Sequence, residues 1–143
     1  MILEDTKMIQ VICGEKGSGK TKQLVELANA NGKSAKGIVV YIDRSNKRMH
    51  DLDRSVRLVD ASHYGIKTQG EYIAFVKGML AGNFDIETIY IDGLSRLFDC
   101  SVAEMEEIYQ GIGSLSEEYG VKFVITASCA ADSLPAFVAK YVK

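Results

Sequence analysis

Short, nearly unbroken apolar runs alternate along the chain with longer stretches in which apolar residues recur every three or four positions. The first rhythm suits strands buried on both faces of a parallel sheet, the second the helices that cover them. Met8-Ile9-Gln10-Val11-Ile12-Cys13 predicts a strand that stops at Gly14. Leu24, Val25, Leu27 and Ala28 predict a helix from residue 20 to about residue 31, with Gly32 as a left-handed stop. Residues 37–42 predict a second strand that ends on Asp43, and residues 57–61 a brief third one. Between them, residues 44–57 mix Arg44, Lys47, Arg48, Arg54 and Arg57 with Asp51 and Asp53, carry no period, and read as a loop or a short helix.

Farther on, Tyr72, Ile73, Val76, Met79 and Leu80 keep one face of a helix over 69–80 that ends near Gly82. Residues 88–92 predict a buried strand ending on Asp92. Ser101-Val102-Ala103-Glu104 has the form of a capping box, in which serine and glutamate satisfy each other's free backbone donors at a helix start. Val102, Met105, Ile108, Tyr109, Ile112 and Leu115 then form the buried stripe, and Gly120 ends the helix. Residues 121–127 predict the last strand, and Pro135 the start of a final helix backed by Phe137, Val138, Tyr141 and Val142. Strands and helices alternate throughout, so the class is α/β with a mainly parallel sheet.

A length of 143 residues suits one domain, 1–143, and no repeat, linker or low-complexity segment divides it. With 47% hydrophobic and 25% charged residues, the chain has the balance of a globular protein that buries a core. A net charge of −2 gives no nucleic-acid footprint, although a local basic patch is compatible with it. Cys13, Cys100 and Cys129 are odd in number and form no C-x-x-C pair, so free thiols in a reducing compartment are expected. No apolar run has the length of a membrane span, and Met1-Ile2-Leu3-Glu4-Asp5 is acidic where a signal peptide would be basic. A cytoplasmic protein is the expectation.

Candidate chemistry is concentrated at the end of the first strand. Gly14-Glu15-Lys16-Gly17-Ser18-Gly19-Lys20-Thr21 matches G-x-x-x-x-G-K-[ST] at every fixed position, between a predicted strand and a predicted helix. Glycines let the backbone curl so that several N–H groups point inward, and the helix that follows adds the positive end of its dipole. Such a nest suits the phosphates of a nucleoside triphosphate. Lys20 would reach the β- and γ-phosphates, and Thr21 would ligate Mg²⁺. Asp92, at the tip of Ile89-Tyr90-Ile91, supplies the carboxylate such an ion needs, holding it through a water. Asn46-Lys47 is followed by Arg48-Met49 and is not a guanine-reading motif, which leaves ATP as the base choice. His50 and His63 sit in polar loop sequence and read as surface residues.

In this order of parts the chain resembles the P-loop NTPases of the additional-strand, RecA-like division over nearly its whole length, with a three-layer fold implied. Ile91-Asp92-Gly93-Leu94-Ser95-Arg96-Leu97 is similar to the strand that RecA and KaiC relatives end in Asp-Ser and an apolar run, with Gly93 in place of the serine. The resemblance implies that strand 121–127 lies between the P-loop strand and the Asp92 strand, with Cys13 and Cys129 as near neighbours. It also implies that a polar residue at the end of that strand, Thr126 or Ser128, faces the γ-phosphate or the attacking water. The glutamate that holds this water in the family has no counterpart, since Gly93 follows Asp92 and Ser45 follows Asp43-Arg44. Asp43 is the one carboxylate placed to act as base, and Arg44, Arg48 and Arg96 are the candidate arginine fingers.

Three functions fit these residues. The first is ATP–Mg binding with weak or partner-dependent hydrolysis, as a switch or as a subunit of an oligomer. The second is a small-molecule kinase with Asp43 as base and residues 44–68 as a lid over the acceptor. The third is a nucleotide-responsive interaction module that never turns over. One predicted helix follows the last strand, which leaves the outer edge of the first strand open, so pairing with another copy or a protein partner is expected there, with cover by a short N-terminal segment as the alternative.

Overall fold

A computed structural model of the protein describes residues 8–142. The acidic segment Met1-Ile2-Leu3-Glu4-Asp5 lies outside them. Five strands form one sheet: β1 (Ile9–Gly14), β2 (Ile38–Asp43), β3 (Val56–Asp60), β4 (Ile86–Ile91) and β5 (Lys122–Ser128). Their order is β1-β5-β4-β2-β3, and every neighbouring pair is parallel. β5 therefore lies between β1 and β4, with Ile9 opposite Phe123 and Gly14 opposite Ser128.

The alternation of side chains along each strand sends two sets of apolar residues to opposite faces. On one face α1 (Lys20–Ser34) lays Leu24, Val25 and Ala28 against Val39, Tyr41, Val56, Tyr90 and Val124. On the other, α2 (Gln69–Gly82), α4 (Glu106–Tyr119) and α5 (Ala136–Ala139) cover Val40, Ile42, Ile89, Ile91, Phe123 and Ile125. These are the three layers of a doubly covered parallel sheet. The stripe read from the sequence, Val102, Met105, Ile108, Tyr109, Ile112 and Leu115, is buried throughout.

Several boundaries differ from the sequence reading, each for a local reason. Gly32 does not stop α1, which runs on to Ser34. Its lack of a side chain serves packing, because a Cβ there would lie 2.5 Å from the Ser55 hydroxyl oxygen and 2.8 Å from Val56 Cγ2. The Ser101/Glu104 capping box is formed, but it closes a 3₁₀ turn at Val102–Glu104, and α4 starts at Glu106. A second box at Thr68 and Glu71, not read from the sequence, caps α2. Pro135 is the residue before α5, in extended conformation, and not its first turn. A short helix, α3 (Leu94–Phe98), follows Asp92 where the sequence predicts no element.

The outer edge of β1 is not left bare. The Val11 N–H donates to the Tyr141 carbonyl (3.1 Å), and Val11 pairs with Val142 in a parallel bridge. The segment after α5 thus takes up part of the edge expected to be open. Cys13, Cys100 and Cys129 are free thiols, and the Cys129 N–H donates to the Gly14 carbonyl (3.0 Å), which brings the ends of β1 and β5 together. No helix among the described residues is long and apolar enough to cross a membrane.

Candidate functional site

The parallel sheet sends the C-terminal ends of β1, β5, β4 and β2 to one edge, where loops of very different chemistry meet. The 14–21 loop leaves β1 and enters α1 through two glycines in the left-handed region, Gly17 at φ 85° and Gly19 at φ 91°. Residues with a Cβ rarely adopt such angles, so the loop's curl is specified by its composition. A third glycine, Gly14, keeps β1 close to the loop, since a Cβ there would force the Ser18 hydroxyl to turn away. The Ser18 N–H donates to the Glu15 carbonyl (3.1 Å), and the Lys20 ammonium bonds to that same carbonyl (3.0 Å). Gly19 caps α1 without a side chain, and the first turn contains no acidic residue. The helix itself therefore places no carboxylate at the positive end that opens onto the cleft.

Opposite the loop, one carboxylate collects three hydroxyls. Asp92 Oδ2 accepts from Thr21 Oγ1 (2.8 Å) and from the Tyr41 hydroxyl (3.2 Å), and Oδ1 accepts from Thr126 Oγ1 (2.6 Å). Strand alternation explains the gathering: Tyr41, Tyr90 and Val124 face α1, and Thr126 follows Val124 by two positions. Tyr41 is fully buried, and burial, helped by the charges of Asp92 and Asp43, pushes its hydroxyl far above the usual tyrosine range. It therefore stays protonated and donates.

Asp43 closes β2. Its Oδ1 accepts from the Arg44 N–H (2.7 Å), and only 8% of the residue is exposed. Burial holds the carboxyl above the usual aspartate range, with Asp92 adding to the rise. The Arg44 N–H bond and the charges of Arg48 and Arg44 oppose it. Gly93, at φ 79°, makes room for this arrangement, since a Cβ would lie 3.2 Å from Asp43 Oδ1 and 3.5 Å from Arg44 Cγ. The glycine that stands where the resembled family has serine thus lets Asp43 and the stem of Arg44 lie against the end of β4.

These groups line a cleft of about 290 Å³ whose walls include Lys16, Gly17, Gly19, Lys20 and Thr21 on one side, and Asp43, Asp92, Thr126 and Ser128 across from them. Of the two hydroxyls read as alternatives at the end of β5, Thr126 bonds to Asp92, whereas Ser128 is exposed on the cleft wall. Arg44, Arg48 and Arg96 also border the cleft. Neither histidine does: His63 is a surface residue paired with Asp60 (3.2 Å). The site residue that sequence reasoning missed is Tyr41. Its signal was its place two positions before Asp43, on the same face of a strand.

Hydroxyl and carboxylate oxygens at this spacing suit a hard cation such as Mg²⁺, which takes one or two carboxylates and fills its remaining positions with water and phosphate oxygens. No group of three or more His, Cys, Asp or Glu side chains that could hold a metal occurs among the described residues, so a dedicated all-protein metal cage is not present among them.

No protein-family model matches the chain, and no curated protein matches its sequence. Among solved structures, the crystal structure of the flagellar accessory protein FlaH from Methanocaldococcus jannaschii matches with a TM-score of 0.51 and 17% identity, over 94% of this chain and 66% of that one. This chain thus spans slightly less than two thirds of that protein. At such identity the likeness is one of fold, an α/β architecture built on a parallel five-stranded sheet.

Proposed function

We propose that this protein binds ATP together with Mg²⁺ through the 14–21 loop, and that its hydrolysis of ATP is slow unless a partner or acceptor completes the site. The observation that carries the reading is the 2.8 Å contact between Thr21 and Asp92 beside an uncapped, glycine-built helix start. Loop N–H groups and Lys20 would take the phosphates, with Lys20 leaving the Glu15 carbonyl for the stronger charge-assisted bond. Thr21 and Asp92 would hold the ion, whose chemistry is to neutralise charge on the phosphate oxygens. Tyr41 and Thr126 fix the Asp92 carboxylate by bonding to both of its oxygens.

Slow turnover follows from what faces the reacting end. Apart from Asp92, the carboxylate lining the cleft is Asp43, and its Oδ1 is already occupied by the Arg44 N–H. An aspartate also reaches one methylene less far than the glutamate that holds the attacking water in the resembled family, and general-base action needs hydrogen-bond reach of the water. A second reading, phosphoryl transfer to an acceptor with Asp43 as base, is favoured by the position of Asp43 on a wall rich in arginine.

Titration of a fluorescent ATP analogue with and without Mg²⁺, alongside phosphate release, tests the reading. Lys20→Ala is expected to weaken binding by about 10–100-fold while leaving the fold intact, because it removes a charge-assisted contact and no core atom. Unchanged affinity in the folded variant overturns nucleotide binding at this loop. Dilute protein hydrolysing ATP without an acceptor at an ordinary enzyme rate of about 10 s⁻¹ overturns the slow-turnover part.

A further inference from the structure

We propose that the cleft wall facing the glycine loop is a second anion site, which takes a compact, phosphate-bearing small molecule in addition to the triphosphate. The inference rests on the nucleotide reading above and names the class of acceptor or effector at that same site. Its basis is a mismatch of charge. Among the described residues, seven of the chain's seventeen lysines and arginines line this cleft, against two of its nineteen carboxylates. Lys16, Lys20 and Lys22 belong to the loop and its helix, where a magnesium-bound triphosphate with a net charge of roughly −2 would meet them. Arg44, Lys47, Arg48 and Arg96 belong to the opposite wall and face no comparable partner. Arg48 is paired with Asp51 (3.0 Å), but Arg44, Lys47 and Arg96 have no carboxylate within 4.0 Å among the described residues.

Topology keeps this wall away from the loop. β5 and β4 separate β1 from β2, so three strand spacings of about 4.8 Å place the chain leaving β2 about 14 Å from the loop leaving β1. A phosphate chain anchored on Lys20 and ending at Thr21 and Asp92 covers the interval from β1 to β4. Lys47 and Arg96 stand at or beyond its end, both exposed. Unpaired cations concentrated in a concave site raise the local concentration of anions and repel one another until an anion enters.

The charge distribution favours a small ligand over a polymer. The chain as a whole carries −2, so with these cations gathered at the cleft the remaining surface is acidic in excess. A nucleic-acid strand leaving the cleft would run onto that acidic surface, whereas a single phosphate group would not. A guanidinium set beside an ammonium suits such a group, the first by paired N–H bonds and the second as a point charge.

The test is a titration of the ¹⁵N-labelled full chain with inorganic phosphate, with Mg²⁺ and the nonhydrolysable analogue AMP-PNP already saturating. Phosphate is expected to shift the amides of residues 44–48 and 94–96 without displacing AMP-PNP. Lys47→Ala/Arg96→Ala, two exposed changes that spare the core, should weaken phosphate binding by about tenfold while AMP-PNP affinity changes by less than about threefold. In Lys20→Ala, the phosphate shifts at 44–48 and 94–96 should persist. Shifts confined to residues 14–21 would overturn the proposal. So would an equal loss of AMP-PNP affinity in the double variant, because the wall would then clamp the triphosphate itself. Tighter, steeply salt-dependent binding of a dT oligonucleotide at these residues would replace the small ligand by a nucleic acid, and also refutes it. Failure of AMP-PNP to bind the wild type sinks the nucleotide reading alone, because the phosphate titration of Lys20→Ala still decides the wall.

Discussion

Gly93→Ala probes how the end of β4 and the end of β2 share space. Gly93 sits at φ 79°, where a side chain costs about 1–2 kcal/mol in backbone strain. The new Cβ would also press on Asp43 Oδ1 at 3.2 Å, tighter than an ordinary contact, and touch Arg44 at 3.5 Å. Asp43 would have to shift, which puts its 2.7 Å bond from the Arg44 N–H at risk. Losing that bond in a site 8% exposed would add about 1–3 kcal/mol for an acceptor left unsatisfied. Gly93→Ala is therefore expected to cost about 2–5 kcal/mol. Gly65→Ala is the matched control: Gly65 has φ 68° and nothing within 4 Å of its Cβ position, so it should lose about 1–2 kcal/mol from strain alone. The reduced freedom of the unfolded chain is the same in both and cancels in the difference. Urea unfolding of the two variants and the wild type measures that difference directly. Equal losses, or a smaller loss at Gly93, would refute the claim that Gly93 is there to accommodate Asp43 and Arg44.

Asp43→Asn keeps the acceptor for the Arg44 N–H and removes the buried charge. The carboxyl of wild-type Asp43 is raised by burial, so the native state holds its proton more tightly than the unfolded state, and wild-type stability falls as pH rises from about 3.9 through the native pKa. The variant should gain in Tm relative to wild type over that interval and keep the advantage at neutral pH, and a Tm difference that is flat with pH would contradict this. Thr126→Val removes the 2.6 Å bond to Asp92 from a residue 6% exposed and should destabilise by about 1.5–3 kcal/mol in urea, while a loss below about 0.5 kcal/mol would show that Asp92 does not depend on it. The Tyr109 hydroxyl is buried without a partner among the described residues, so Tyr109→Phe should be neutral or stabilising by about 1 kcal/mol, and a clear loss of stability would point to a bound water.

Local sequence determined most of the elements, because a strand or helix is written in the spacing of its own apolar residues. The runs at Ile9–Gly14, Ile38–Asp43 and Ile86–Ile91 and the stripe from Val102 to Leu115 were legible for that reason. The 14–21 loop was legible because its curl needs glycine at φ values that other residues avoid. Where local signals compete, the tertiary structure decided. Gly32 carries the signature of a helix stop, yet packing against Ser55 and Val56 requires a glycine inside α1. Five-residue α3 was too short to show a period, and it forms because Gly93 turns the chain after β4. The strand order, suggested only by resemblance, depends on pairings between residues more than a hundred positions apart, such as Gly14 with Ser128. The pairing of β5 with β4, Ile125 opposite Ile91, brings Thr126 to Asp92, and the register of β2 beside β4 adds Tyr41, so the three-hydroxyl grip on one carboxylate could not be read along the chain. Arg44 and Arg96 were candidate arginine fingers that the sequence could not place together with Lys47, and the parallel sheet gathered all three on one wall by sending the ends of β2 and β4 to the same edge.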